Sequence, residues 1–326
     1  MKAEILQLLR ERGDFVSGQE LCERFQVSRT AVWKSIQQLQ KEGYQIEAVT
    51  RRGYRLDGFP DTVAAAEVES RLHTQWIGRP VRYFEEIAST NQYAKQMAED
   101  GAPEGLLVVA DCQTKGRGRS GRSWATPAGT NIAMTLLLRP KLPPERISMV
   151  TLVMGMAVAG ACRRCCGLPV QIKWPNDVVI GGKKLCGILT EMSTEIASVS
   201  YIVIGTGINV NMKEIPEELK SIATSLLLEL GHEVNRAKLI ACVMEEFEQY
   251  YSAFLEKGDL SALQDTYNEM LVNRGRGVRV LEPEHEYDGT AEGIDERGRL
   301  LVRLEDGSVN AVYAGEVSVR GIYGYV

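Results

Sequence analysis

The residue types able to do chemistry are densest in one stretch, Lys115-Gly116-Arg117-Gly118-Arg119-Ser120-Gly121-Arg122-Ser123-Trp124. Glycine lets a backbone approach a ligand closely and take up positive φ. Arginine offers a permanently charged, planar donor fork that fits carboxylate and phosphate. Their alternation, directly after the apolar run 106–110, describes a mobile loop that closes over an anionic ligand. A solvated basic surface loop is the alternative if the stretch is taken alone. Gly116 to Gly121 also satisfies the G-x-G-x-x-G spacing of a dinucleotide site, and two features exclude that reading. Residues 122–127 open no apolar-periodic helix, and about twenty residues on stands Arg139-Pro140-Lys141 rather than an acid for a ribose hydroxyl.

Further clusters suit the same kind of ligand. Ser89-Thr90-Asn91 lies between a predicted strand, 81–87, and a predicted helix, 92–99, where small polar side chains cap a helix and also face a ligand. Lys173-Trp174-Pro175-Asn176-Asp177 interrupts a strand over 170–180. After the turn Gly181-Gly182 the chain returns through Lys183 and Lys184, so a hairpin presents Lys184 and Asp177. Turn formation with Asn176 is the competing role for Asp177. Residues 201–204 run into Gly205-Thr206-Gly207-Ile208-Asn209, a buried strand ending in a glycine-lined edge and an amide able to read a polar ring.

The elements that must position these residues fall into three parts: 1–65, 66–270 and 271–326. A chain of 326 residues is long for one core. In the first part, Ile5, Leu6, Leu8 and Leu9 mark a helix ended by Gly13. Ser17 and Glu20 form a capping box for a second helix, and Ser28 caps a third with Val32, Ile36 and Leu39 inward. Arg29, Thr30, Trp33 and Lys34 face outward. Two helices joined by the short turn Gln26-Val27, then a hairpin over 44–56 around Arg51-Arg52-Gly53, predict a winged helix-turn-helix that binds DNA. A protein-interaction module with a solvated basic face is the competing account. The net charge of -5 excludes indiscriminate coating of nucleic acid, but 28–55 is locally basic and calls for a localised anionic partner. Residues 57–62 are polar and turn-forming, the expected boundary. The middle part alternates helices and strands and predicts a mixed sheet. The tail predicts short strands at 274–280, 286–294, 300–304, 309–313 and 317–319, a small SH3-like β-barrel. The seven cysteines lack zinc-site spacing and read as reduced thiols of a cytoplasmic protein; the apolar run 149–162 is too short to span a bilayer.

Ser89-Thr90-Asn91, Gly116-Arg117-Gly118-Arg119-x-Gly121-Arg122-x-Trp124, Lys173-Trp174-Pro175-Asn176-Asp177, Lys184-Leu185-x-Gly187-Ile188-Leu189 and Gly205-x-Gly207-Ile208-Asn209 stand in the order typical of biotin–protein ligases. With the winged helix in front, nearly the whole chain resembles the bifunctional bacterial type, biotin–protein ligase and biotin-operon repressor. The resemblance implies a multidomain α+β protein with a class II synthetase-like central domain. It implies that biotin attacks the α-phosphate of ATP, giving biotinyl-AMP and pyrophosphate, and that a lysine of the biotin carboxyl carrier protein then takes the biotinyl group. It assigns biotin to Ser89, Thr90, Asn91, Gln113, Gly116, Arg117, Gly118, Arg119, Lys184, Gly205 and Gly207, and the adenylate to Trp124, Asn176 and Asn209, with 212–219 covering it. Ser28, Arg29, Thr30, Trp33, Lys34, Arg51 and Arg52 would meet operator DNA. ATP brings Mg²⁺, whose ligands stay unassigned, and a homodimer is expected when biotinyl-AMP is bound, with no membrane partner.

The residues make physical sense of that chemistry. A carboxylate is already ionised at neutral pH, so the first step calls for charge neutralisation, which Arg117, Arg119 and Lys184 supply. The acceptor lysine arrives protonated, and Asp177 is the candidate base. Two other classes compete: a winged-helix regulator whose middle domain only senses a ligand, and a ligase for lipoate or another acyl group.

Overall fold

The computed structural model describes residues 1–195, 198–281, 285–314, 318–321 and 325–326. At the N-terminal end α1 (Lys2–Arg12), α2 (Gly18–Phe25) and α3 (Arg29–Lys41) pack Ile5, Leu6, Leu9, Leu21, Val32, Ile36 and Leu39 into a small core of their own. The helix ends follow the predicted caps: Gly13 is left-handed at φ 62°, and the Ser17 and Ser28 hydroxyls accept from the backbone N–H of Glu20 and Ala31. The reciprocal half of the capping box is not formed, because the Glu20 carboxylate turns to Arg12. Antiparallel β1 (Gln45–Val49) and β2 (Gly53–Gly58) make the wing, with Arg51 left-handed at its tip.

The stretch 57–62 is no free tether. Glu67 on α4 (Ala65–Glu69) is fully buried and accepts from Arg10, Tyr44 and Arg71, while the Arg10 and Arg71 guanidiniums each lie over the Phe59 ring, 5.6 and 4.8 Å from its centroid. Three donors meet one carboxylate there, which is what makes burying the charge tolerable. Beyond it, Asp61 bonds Arg236.

The middle of the chain forms a seven-stranded mixed sheet in the order β3-β4-β5-β9-β8-β7-β6. Its strands are β3 (Val81–Ile87), β4 (Leu107–Gln113), β5 (Ile132–Leu138), β6 (Gln171–Lys173), β7 (Asp177–Ile180), β8 (Lys183–Glu195) and β9 (Ser198–Ile208). Parallel β3 and β4 are joined through α5 (Thr90–Glu99), and the other pairs are antiparallel. Because side chains alternate along a strand, both faces of the sheet are apolar. Val108, Leu137 and Val203 meet Ala94 and Ala98 of α5, and Leu107, Leu136 and Ile204 join the larger core. That core is built on α6 (Ile147–Cys166), α7 (Leu226–Leu230), α8 (Arg236–Lys257) and α9 (Gln264–Met270). The apolar run of the sequence is therefore part of α6, a core helix mostly buried inside the protein. Cys165 of α6 and Cys242 of α8 bring their sulfurs together with Cα atoms 7.4 Å apart, wider than a disulfide ordinarily spans, while Cys22, Cys112, Cys162, Cys166 and Cys186 are free. Helix packing brings the two together across 77 residues, which no spacing rule displays.

The tail is a five-stranded antiparallel sheet, β13-β12-β11-β10-β14, of β10 (Gly277–Leu281), β11 (Glu286–Ile294), β12 (Leu300–Arg303), β13 (Val309–Val312) and β14 (Ser318–Gly321). Of the last expected strand, Val317 lies outside the described residues. The tail shares the main core through Val278, Val280, Leu300 and Val302, and is pinned to the edge of the large sheet where the Val272 N–H donates to Ile172 O and the Trp174 indole donates to Gly298 O.

Candidate active site

The sheet brings the predicted clusters to one place. Ser89 caps α5, and Thr90 and Asn91 form its buried first turn, two residues earlier than the sequence placed the helix. Gln113 at the end of β4 accepts from both the Thr90 N–H and hydroxyl at 2.9 and 3.0 Å. The sequence reading missed Thr135. Its buried hydroxyl on β5 lies 2.8 Å from the Thr90 hydroxyl and 2.6 Å from Asn91 Oδ1. A lone hydroxyl in the apolar run 132–138 was the available signal. Glu191, also missed, accepts from Asn91 Nδ2 at 2.8 Å and pairs with Lys95; no local pattern marked it.

Two glycines keep the floor open. A Cβ at Gly205 would stand 2.2 Å from Asn91 Oδ1, and one at Gly207 would stand 2.4 Å from the Trp124 indole. Only glycine fits under those side chains. Trp124 lies over this floor with its ring centroid 5.7 Å from Lys184 Nζ; its indole nitrogen and the Thr206 hydroxyl are buried polar atoms without a protein partner among the described residues.

The Gly/Arg loop, expected as mobile, is folded as a short ladder. Trp124 N–H donates to Gly116 O, Gly118 N–H to Arg122 O, and a single turn of 3-10 helix spans Arg119–Gly121. Gly116 is needed because a Cβ would lie 2.4 Å from Trp124 O. Arg117 is exposed, whereas Arg119 is turned inward and donates to Asn176 Oδ1 at 2.9 Å. Burial lowers the Arg119 guanidinium from its usual range, and the Asp177 charge opposes that.

The β7–β8 hairpin sets Asp177 Oδ1 2.6 Å from Lys184 Nζ, and backbone pairing with Ile222 and Thr224 holds Lys184 from its other side. Asn176 is fixed to Ile188 by reciprocal bonds. Lys173, buried in the same motif, is pushed down to about 8, first by desolvation, with Lys184 and Arg320 adding repulsion and Asp177 opposing. Tyr325, from the tail, donates to the second oxygen of Asp177. Asn209 is less accessible than expected: its amide donates to Thr224 O at 3.0 Å and holds the base of the 212–224 loop.

On the winged helix, Ser28, Arg29, Thr30, Trp33 and Lys34 are all exposed on one end of α3, Trp33 by 53%. Arg52 stacks on Phe15, 4.1 Å from its centroid, and Arg51 projects from the wing tip.

A winged helix ahead of a mixed sheet that gathers cationic and amide side chains, with a small β-rich tail behind, is the plan of a two-function class, a DNA reader joined to an acyl-activating domain. The match to known families agrees: residues 2–55 fit the HTH domain, 83–209 the Biotin/lipoate A/B protein ligase family, and 275–320 the Biotin protein ligase C terminal domain. The chain is 38% identical to the bifunctional ligase/repressor BirA of Bacillus spizizenii over 98% of both chains. It is 31% identical to that of Escherichia coli strain K12, over 96% of this chain and 95% of the other. Among solved structures, the biotin protein ligase from Aquifex aeolicus in complex with biotin and ATP superposes with a TM-score of 0.65 at 31% identity, covering 74% of this chain and 98% of that one. The chain belongs to the family of bifunctional ligase/repressors to which BirA belongs.

Proposed function

We propose that this protein activates biotin with ATP to biotinyl-5'-AMP, transfers the biotinyl group to a lysine of a biotin carboxyl carrier protein, and represses transcription in a biotinyl-AMP-dependent way through residues 1–65. The carrying observation is the convergence of Arg119, Asn176, Asp177 and Lys184 beside a glycine floor, at the end of a sheet whose polar wall is Thr90, Asn91 and Gln113. Residues 66–270 are the catalytic part, and 271–326 support it.

The polar wall of Ser89, Thr90, Asn91 and Gln113 suits the uncharged ureido ring, which offers donors and an acceptor but no charge. The apolar tail of biotin takes the strip above Gly205 and Gly207, and its carboxylate faces Arg117, Arg119, the backbone of Gly116 and Gly118, and Lys184. One carboxylate oxygen attacks the α-phosphorus, and pyrophosphate leaves with the bridging oxygen. Lys184 and Arg119 offset the charge that builds on the phosphoryl oxygens, an effect that preorganised cations deliver without rearrangement. Trp124, Asn176 and Asn209 border the nucleotide. Mg²⁺ comes with ATP and neutralises its phosphates. In the second step Asp177 takes a proton from the acceptor ammonium. On the DNA side, α3 enters the major groove and Arg51 and Arg52 meet phosphate.

Incubation with ATP, Mg²⁺, labelled biotin and a carrier domain tests the reading. Labelled carrier is the expected product; transfer of lipoate in preference to biotin would move the chain to a different acyl substrate, and absence of biotin-dependent pyrophosphate release would leave only a ligand sensor.

A further inference from the structure

The two oxygens of the Asp177 carboxylate differ. Oδ1 is buried 2.6 Å from Lys184 Nζ, paired by charge without a directed hydrogen bond among the described residues, and Oδ2 accepts from the Tyr325 hydroxyl at 2.5 Å. The Tyr325 ring also covers Lys173, whose Nζ lies 4.1 Å from the ring centroid. Lys173, Asp177 and Lys184 belong to the central sheet; Tyr325 comes from the tail domain. A base must reach the proton it removes through a free oxygen at hydrogen-bond distance. Lys184 holds Oδ1 and is needed at the reacting phosphate, so an incoming ammonium has Oδ2 alone, where the phenol already sits.

We propose that Tyr325 occupies the acceptor-amine seat on Asp177, slowing transfer to the carrier lysine and prolonging the life of biotinyl-AMP while leaving its formation untouched. This rests on Asp177 being the transfer base. Burial and the Asp177 charge push the phenol well above its ordinary range, so it stays a donor and cannot itself take the amine's proton. When the carrier lysine arrives, its ammonium displaces the phenol and gives one proton to Asp177 Oδ2. The freed lone pair attacks the biotinyl carbonyl carbon, the bond from that carbon to the phosphate oxygen breaks with its electrons going to AMP, and the second amine proton passes to water. A protein whose repressor role needs the adenylate kept bound gains from a base that is covered until the proper acceptor uncovers it.

The test uses the full chain loaded with biotinyl-AMP and a carrier domain below saturation, with pyrophosphate release as the separate readout of adenylation. In Tyr325→Phe, which keeps the ring over Lys173, adenylation should equal wild type while transfer and loss of adenylate to free lysine both accelerate, by about tenfold for one hydrogen bond to a carboxylate. Asp177→Asn should lose transfer, and adding Tyr325→Phe to it should change nothing. Unaltered transfer in Asp177→Asn would remove the base reading itself. With that reading intact, transfer in Tyr325→Phe that is unchanged or slower would overturn the proposal.

Discussion

Lys184 Nζ lies 2.6 Å from Asp177 Oδ1, on facing strands of one hairpin, so the cation proposed to serve the phosphate is held by the carboxylate proposed to serve the amine. Removing either partner therefore touches both steps, in different proportions. Lys184→Ala should lower the rate of adenylation by about a hundredfold, the scale for losing one preorganised stabiliser of developing charge. Single-turnover pyrophosphate release measures it, and an unchanged rate would deny Lys184 that role.

Arg236 carries the second buried ionic centre, 2.9 Å from Asp61 Oδ2 and 2.7 Å from Asp111 Oδ1, while Asp111 also accepts from the Gly129 N–H. The linker, β4 and the loop after Trp124 thus share one guanidinium. Arg236→Met leaves two partly exposed carboxylates without it, and losing hydrogen bonds to charged groups of this kind costs about 2 kcal/mol. Urea unfolding should show that loss as a lower midpoint with an unchanged slope. A variant as stable as wild type would mean that the clasp holds nothing.

The wing predicts a separable defect. Arg51→Ala combined with Arg52→Ala removes two phosphate contacts, so the slope of log affinity against log salt should become shallower by about two, with ligation intact. Filter binding across a salt series, alongside a transfer assay, checks both halves. Lost ligation would show that the ends of the chain are not independent.

Lys173 gives a pH signature. Its folded-state value is pushed down to about 8 from the ordinary 10.5, chiefly by desolvation. Below about 8 the ammonium is charged in both states and its burial penalty is present in full. Between the two values the unfolded chain binds more protons, so stability rises with pH through that window. The wild-type unfolding midpoint, taken relative to Lys173→Met, should climb between pH 8 and 10.5; a flat difference would contradict the desolvated lysine.

Local patterns in the sequence were enough to place the winged helix, because caps at Ser17 and Ser28 and the Arg51-Arg52-Gly53 turn act within a few residues. They also placed the site clusters on their strands and turns, since glycine at Gly205 and Gly207 and the polar triplet at Ser89 are local requirements. What escaped depends on distant segments meeting. Arg236 and Asp61 are 175 residues apart, Tyr325 and Asp177 148, and Cys165 and Cys242 77. The anchoring of the Gly/Arg loop escaped for the same reason: Arg119 is held by Asn176, 57 residues away.

Coupling of ligand to DNA binding follows if closure over biotinyl-AMP orders a pairing surface. Sedimentation of the full chain should show tighter dimerisation with biotinyl-AMP than with biotin or with no ligand. Equal dimerisation in all three would break the link between the two functions.

The central claim is that one site makes biotinyl-AMP and hands it to a carrier lysine. The measurement that tests it most directly is mass spectrometry of a carrier domain after incubation with this protein, ATP, Mg²⁺ and biotin. The account predicts one biotinyl group on one lysine, pyrophosphate and AMP released in equal amounts, and a rate of product formation about a hundredfold lower with Lys184→Ala. Biotin-dependent pyrophosphate release with no modified carrier, or modification that survives Lys184→Ala at the wild-type rate, would contradict it.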